Sequence, residues 1–281
     1  MSIIPGSLYI IATPIGNLED LSPRALEILG NVDLILAEDT RHSTQLLHHY
    51  GVHTPMQAYH DHNERKLVSR IISRLHKNET IALISDAGTP LISDPGYHLV
   101  TAAHAEGIKV VPIPGPSALI SALSVSGIAT DRFVFEGYLP ARQAARRNRL
   151  YDLATEQRTL VFFEAPHRIV QCVEDAVSCL GSDRNATLAK ELTKQYETVR
   201  KDTLINLLDW LDKDDKLQKG EFVLIIAGAS EAELNEIEAV RVLKILLQSL
   251  SVKEAATFAA EILHDNRNRM YKLAIMLKED K

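Results

Sequence analysis

Apolar residues fall along this chain in short unbroken runs, each bounded by Gly, Pro, Asn or Asp, and helical spacing fills the stretches between them. The runs predict strands over Leu8–Ala12, Val32–Ala37, Ile81–Ser85, Val110–Ile113, Phe133–Glu136, Thr159–Glu164, Thr187–Glu191 and Phe222–Ala227. The intervening periodicity predicts helices over Ser22–Leu29, Glu64–Lys77, Tyr97–Glu106, Ser117–Val125, Arg142–Ala154, His167–Cys179 and Leu204–Leu211. Strands alternating with helices specify an α/β protein with parallel-rich sheets covered on both faces, because joining parallel neighbours requires a crossover. The Pro-rich stretch Val111–Ser117 divides an N-terminal α/β domain, residues 1–118, from a second, residues 119–230. Beyond Ala227-Gly-Ala-Ser the pattern is helical only, a small module over residues 231–281. Within it, Ser251 caps a helix packed through Ala255, Ala256, Ala259 and Leu263. Asp265-Asn266 then turns the chain into a helix carrying Arg267, Arg269 and Lys272, the spacing of a helix-turn-helix.

Composition narrows the function classes. The 281 residues are 46% hydrophobic and 24% charged, with a formal net charge of −6, so any polyanion must be met by a local basic surface. Cys172 and Cys179 are the only cysteines and form neither a zinc signature nor a disulfide framework, which fits a reducing compartment. The longest apolar run, Phe222 to Ala229, falls well short of the roughly 20 residues of a membrane helix. With no charged leader at the N-terminus, the chain is expected to be cytoplasmic and not membrane-bound. Neither a dinucleotide-binding G-x-G-x-x-G nor a P-loop is present. His60-Asp-His62 reads as a polar loop, and no metal is expected.

Three loops after predicted strands are rich in Gly and Pro: Ala12–Ala25, Ser85–Gly96 and Pro112–Ala118. Glycine lets backbone approach a ligand and proline fixes the loop beforehand, so together they predict a cleft that holds a ligand through main-chain groups. Polar clusters close other strands. Glu38, Asp39 and Arg41 follow the second, Glu164, His167 and Arg168 the sixth, and Lys190 the seventh; all are catalytic candidates.

The stretches LYIIATPIGNLEDLSPRA from Leu8, VDLILAEDTRHSTQLL from Val32, LISDAGTPLISDPG from Leu83 and VPIPGPSAL from Val111 carry a family likeness. FEGYLP from Phe135, FFEAPHRI from Phe162 and AKELTKQYE from Ala189 continue it across most of residues 8–229. In this order they resemble the tetrapyrrole methylase superfamily, and within it the RsmI type, which methylates the 2′-hydroxyl of a cytidine in the decoding region of 16S ribosomal RNA. Gly88-Thr-Pro90 stands where many tetrapyrrole enzymes have Gly-Asp-Pro, a departure that favours the ribosomal branch. The resemblance implies S-adenosylmethionine in the cleft between two α/β domains, a homodimer, and small-subunit ribosomal RNA or the assembled subunit as partner. It implies cofactor contacts from Ile15, Gly88, Thr89, Ile92, Asp94, Ser117 and Ala118, with Lys190 and Glu191 on the far side.

A ribose hydroxyl is a poor nucleophile, so a carboxylate, a lysine or a water chain is expected to assist as base, with the residue left open. Arg142, Arg146 and Arg149 share one face of a predicted helix and Arg147 adjoins them. With Lys194 they are the candidate RNA contacts. Two rival readings remain: a tetrapyrrole C-methyltransferase on the same fold, and a non-catalytic nucleic-acid binder built on the C-terminal helices.

Overall fold

The computed structural model describes residues 3–279. The first half runs β1 (Leu8–Ile11), α1 (Pro23–Leu29), β2 (Leu34–Ala37), α2 (Thr40–His49), β3 (Met56–Ala58), α3 (Glu64–His76), β4 (Ile81–Ile84), α4 (Tyr97–Ala105) and β5 (Val110–Ile113). Its strands form one sheet in the order β3-β2-β4-β1-β5, and every ladder in it is parallel. The strictly apolar runs become β1, β2 and β4, the three interior strands. Side chains alternate faces along a strand, so each run supplies two cores at once. Tyr9, Ile11, Ile35, Ala37, Ala82 and Ile84 pack on the α1 side, whereas Leu8, Leu34, Leu36, Ile81 and Leu83 pack against α3 and α4. Ser22 caps α1 by accepting from the Ala25 N–H, with Pro23 in the first turn, as the sequence predicts.

The second half runs α5 (Ala118–Ser126), β6 (Phe133–Tyr138), α6 (Gln143–Asp152), β7 (Thr159–Glu164), α7 (Ile169–Leu180), β8 (Asn185–Lys190), β9 (Thr198–Thr203), α8 (Leu204–Leu211) and β10 (Phe222–Ile226). Here the order is β6-β7-β10-β8-β9, and only β6 and β7 are parallel. Parallel ladders therefore predominate across the two sheets, but the second sheet is mixed. The reason is local: β8 turns directly into β9, and β10 returns between β7 and β8. One face of this sheet packs on α6, α7 and α8, and buries both free cysteines. The other packs on α5, and Ile15 from the first half enters that same cluster, joining the two sheets.

Elements that the apolar pattern did not predict are α2, β3 and β9. Helix α2 buries only Ser43 and Leu47, and β9 is an edge strand reading Thr-Val-Arg-Lys-Asp-Thr. Both lack the apolar stripe that sequence periodicity detects, and charge on an edge strand discourages pairing with foreign strands.

The chain ends in α9 (Glu231–Leu246), α10 (Val252–Leu263) and α11 (Arg267–Glu279). Ser230 and Ser251 form capping boxes with Glu233 and Glu254. Ala255, Ala256 and Ala259 are fully buried between the helices, Leu263 packs beside them, and His264 ends α10 with a left-handed backbone. Arg267, Arg269 and Lys272 are exposed, Arg269 being paired with Asp265. Among the described residues no helix is long and apolar enough to cross a membrane.

Candidate active site

The carboxyl ends of β1, β2, β4 and β5 face the ends of β6, β7 and β8 across a cleft of about 430 Å³. Loops at that edge of a parallel sheet are where ligands bind, because helix N-termini and free main-chain groups converge there. The three Gly/Pro loops meet in its wall and are stitched together. Thr13 and Gly88 exchange backbone bonds of 2.9 and 3.0 Å, the Thr13 hydroxyl donates to the Ser85 carbonyl, and the Thr89 hydroxyl donates to the Pro116 carbonyl. Gly88 sits at φ +81°, and a Cβ there would stand 3.4 Å from Ile15 Cγ2 at the cleft wall. Leu91 and Ser93 hold φ of 73° and 69°, conformations that L residues keep only when surroundings enforce them. The loop is thus shaped before any ligand arrives.

The electrostatics are one-sided. Glu38, Asp86, Asp94, Glu164 and Glu221 line the cleft, and among the described residues no lysine or arginine does. Burial, followed by the charges of Asp94, Asp86 and Asp61, pushes the Glu38 carboxyl up to about 7. Burial likewise lifts Asp94 to about 6, against a lowering hydrogen bond from Ser85 and with further upward push from Asp86 and Asp61. Such a site repels phosphate and favours a cation. A sulfonium compound held by backbone fits it; a nucleoside di- or triphosphate does not.

A pH dependence follows. Both carboxyls titrate higher in the folded protein than in the unfolded chain, so their contribution to stability is complete below about pH 4 and is lost as pH rises through 6 to 7. The double variant Glu38→Gln, Asp94→Asn is expected to raise the melting temperature more at pH 8 than at pH 5. Equal increments at the two pH values would show that the carboxylates do not strain the folded protein.

The structure sorts the candidates. Ile15, Gly88, Thr89, Ile92, Asp94, Ser117 and Ala118 all line the cleft, as do Glu38 and Glu164. Lys190 and Glu191 do not. Lys190 follows Ala189, which lines the cleft, so strand alternation turns it to the opposite face, where its ammonium donates to the Lys216 carbonyl. Glu191 is engaged by Lys194 and by the Glu221 N–H. Asp39 caps α2 and pairs with the exposed Arg41, outside the cleft lining. His167 is exposed outside it as well. Arg168 is half-buried outside the cleft lining, paired with Glu164 at 3.2 Å and donating to the Leu139 and Pro140 carbonyls.

The arginine helix needs the largest correction. Arg146 is 1% exposed and forms a 2.7 Å ion pair with buried Asp175 on α7. The predicted shared face does not form: Arg142 is the extended residue that precedes α6, and only Arg146 turns towards α7, where a buried carboxylate requires a cation beside it. Arg149 is clamped by Glu136 through two 2.8 Å bonds, and Lys194 lies between Glu191 and Glu221. Arg142 is exposed and Arg147 half-exposed, so these two keep a surface available to RNA. Sequence reasoning assigned no role to Asp86, Ser93, Tyr138, Phe163 or Glu221, all of which line the cleft. Tyr138 and Phe163 lie within the FEGYLP and FFEAPHRI stretches, and Asp86 and Ser93 within the glycine loop. Among the described residues no group of three or more His, Cys, Asp or Glu could hold a metal ion.

Comparison with known proteins agrees with this geometry. The profile of the tetrapyrrole (corrin/porphyrin) methylases matches residues 7–208, and that of the RsmI C-terminal HTH domain matches residues 233–278. The chain is 52% identical to the ribosomal RNA small subunit methyltransferase I of Pseudomonas aeruginosa, covering 96% of this chain and 97% of the relative. It is 54% identical to the protein of the same name in Xylella fastidiosa, over 95% and 98%. Diphthine synthase shares the fold, with a TM-score of 0.59 at 17% identity, covering 82% of this chain and 93% of the solved one.

Proposed function

The chain belongs to the tetrapyrrole (corrin/porphyrin) methylase family, and from that premise we propose that it methylates the 2′-hydroxyl of a cytidine in the decoding region of small-subunit ribosomal RNA. It is an S-adenosylmethionine-dependent methyltransferase. One observation carries the RNA reading: an almost end-to-end match, C-terminal helices included, to relatives named for the small ribosomal subunit. The position and the 2′-oxygen rest on the motif resemblance.

In this reading Ile15, Gly88, Thr89, Ile92, Asp94, Ser117 and Ala118 hold the cofactor, and the carboxylate field of Asp86 and Asp94 favours its positive charge. S-adenosylmethionine supplies an activated methyl group when bound. The chain's own work is then to place a hydroxyl, exclude competing water and accept one proton. Glu38 is the base, since its carboxyl titrates at about 7, close to working pH, and it lines the cleft. Arg142, Arg147, Arg267 and Lys272 are among the exposed or half-exposed cations, and we assign them to phosphate contact. Exposed Tyr97, Ile120 and Val125 are the apolar candidates for a homodimer contact, which light scattering would test.

The deciding experiment offers labelled S-adenosylmethionine with small subunits, naked ribosomal RNA and a tetrapyrrole precursor in parallel. Label in one cytidine ribose of the small-subunit RNA is expected. Label only in the tetrapyrrole would replace the substrate and leave the fold and cofactor standing.

A further inference from the structure

The cleft is lined by five carboxyl groups and, among the described residues, by no lysine or arginine, yet the substrate proposed for it is a polyanion. Phosphates cannot follow the target nucleotide inside against that field, so what enters is an uncharged base and ribose. A base drawn out of its stack needs a replacement surface, and aromatic side chains supply it.

One cleft-lining aromatic is placed for that role. Tyr138 is 57% exposed, whereas Phe163 is half-buried and Phe222 buried. The Tyr138 ring stands edge-on to Phe163 at 5.8 Å, and Phe163 in turn stands against Phe135 at 4.9 Å, so the exposed ring has a packed support. Its position is set from both sides. The ladder of β6 shifts register between Phe135 and Gly137, and Gly137 takes φ +64°, bringing the strand end against the Asp94 loop, where a Cβ would lie 3.2 Å from Ser93 Oγ. On the other side the carbonyls of Leu139 and Pro140 accept from Arg168, which is tied to Glu164. The same loop ends at exposed Arg142, a cation outside the carboxylate-lined cleft.

We propose that Tyr138 is the platform on which the base of the target nucleoside stacks, the nucleoside being turned out of its RNA while its phosphates stay at the rim. The proposal rests on the RNA-substrate reading above. The Gly137 bulge and the Arg168 anchor hold the ring in place, and Arg142 meets the backbone outside.

The test compares wild type with Tyr138→Ala, Tyr138→Phe and Tyr138→Trp on unmethylated small subunits. Steady-state methyl transfer is measured alongside sedimentation binding in the presence of S-adenosylhomocysteine, cofactor affinity by calorimetry, and melting temperature. Stacking on one aromatic ring predicts that Tyr138→Ala weakens subunit binding and raises KM by roughly ten- to a hundred-fold. Cofactor affinity and melting should stay near wild type, and Phe and Trp should restore binding. Unchanged binding in Tyr138→Ala would overturn the proposal. So would loss of cofactor affinity, which would make the ring a cofactor contact, and so would a Phe variant as impaired as Ala, which would place the role in the hydroxyl. Failure of wild type to methylate the subunits would instead sink the substrate reading on which the proposal stands.

Discussion

Replacing Arg146 by alanine is expected to destabilise the protein by about 3–5 kcal/mol, because it strips a buried carboxylate of its partner cation. Asp175 is 2% exposed and receives Arg146 Nε at 2.7 Å, with Gln143 Nε2 on its other oxygen at 3.1 Å. The second arginine nearby, Arg147, is 3.9 Å away and 41% exposed, too remote to replace the first. Urea unfolding should show the loss directly. The double variant Arg146→Met, Asp175→Leu should recover most of it, since an apolar pair of similar volume avoids the desolvation of both charges. Arg142→Glu, at the exposed residue that precedes α6, is the control within the same segment. It should leave stability within about 0.5 kcal/mol and weaken RNA binding instead. If Arg146→Ala unfolds like wild type, the pair does not hold α6 to α7.

Glu38→Gln is expected to slow methyl transfer by roughly 10²- to 10⁴-fold, the usual contribution of a positioned base. The sign with pH follows from its titration at about 7: the base acts deprotonated, so the wild-type rate should climb as pH rises through 7 and level off above it. The variant should lose that climb and keep cofactor affinity within a few-fold. A variant that retains both the rate and the climb would move the base elsewhere, first to Glu164, the other catalytic candidate that lines the cleft. Rate against pH for both proteins, with saturating cofactor, separates the two.

The two corrections among the charged residues have a common origin. Arg142, Arg146 and Arg149 look alike by spacing, yet one is exposed, one is buried against Asp175 and one is clamped by Glu136. Lys190 and Glu191 stand in a matching motif beside Ala189, but they miss the cleft that Ala189 lines. Spacing states which residues would share a face of a helix; it states neither where the helix begins, here after Arg142, nor what packs against it. The acidic partners of the arginines lie 13 and 29 positions away, and only folding brings them together.

Local chemistry encodes one part of this protein, and that part is legible in the chain before it folds. The apolar runs Leu8–Ile11, Leu34–Ala37 and Ile81–Ile84 specify interior parallel strands, Ser22-Pro23 starts a helix, and Gly88 permits a left-handed turn at the cleft wall. Each of these is a property of a few adjacent residues. Folding alone settled the antiparallel return of β10 between β7 and β8, and the edge strand β9. It also gathered Glu38 after β2, Asp86 and Asp94 from the loop after β4, Glu164 at the end of β7 and Glu221 before β10 around one cleft. Pairing order and charge convergence depend on contacts between residues far apart in the chain. A field that lifts Glu38 to about 7 exists only once burial and its like-charged neighbours act on it together.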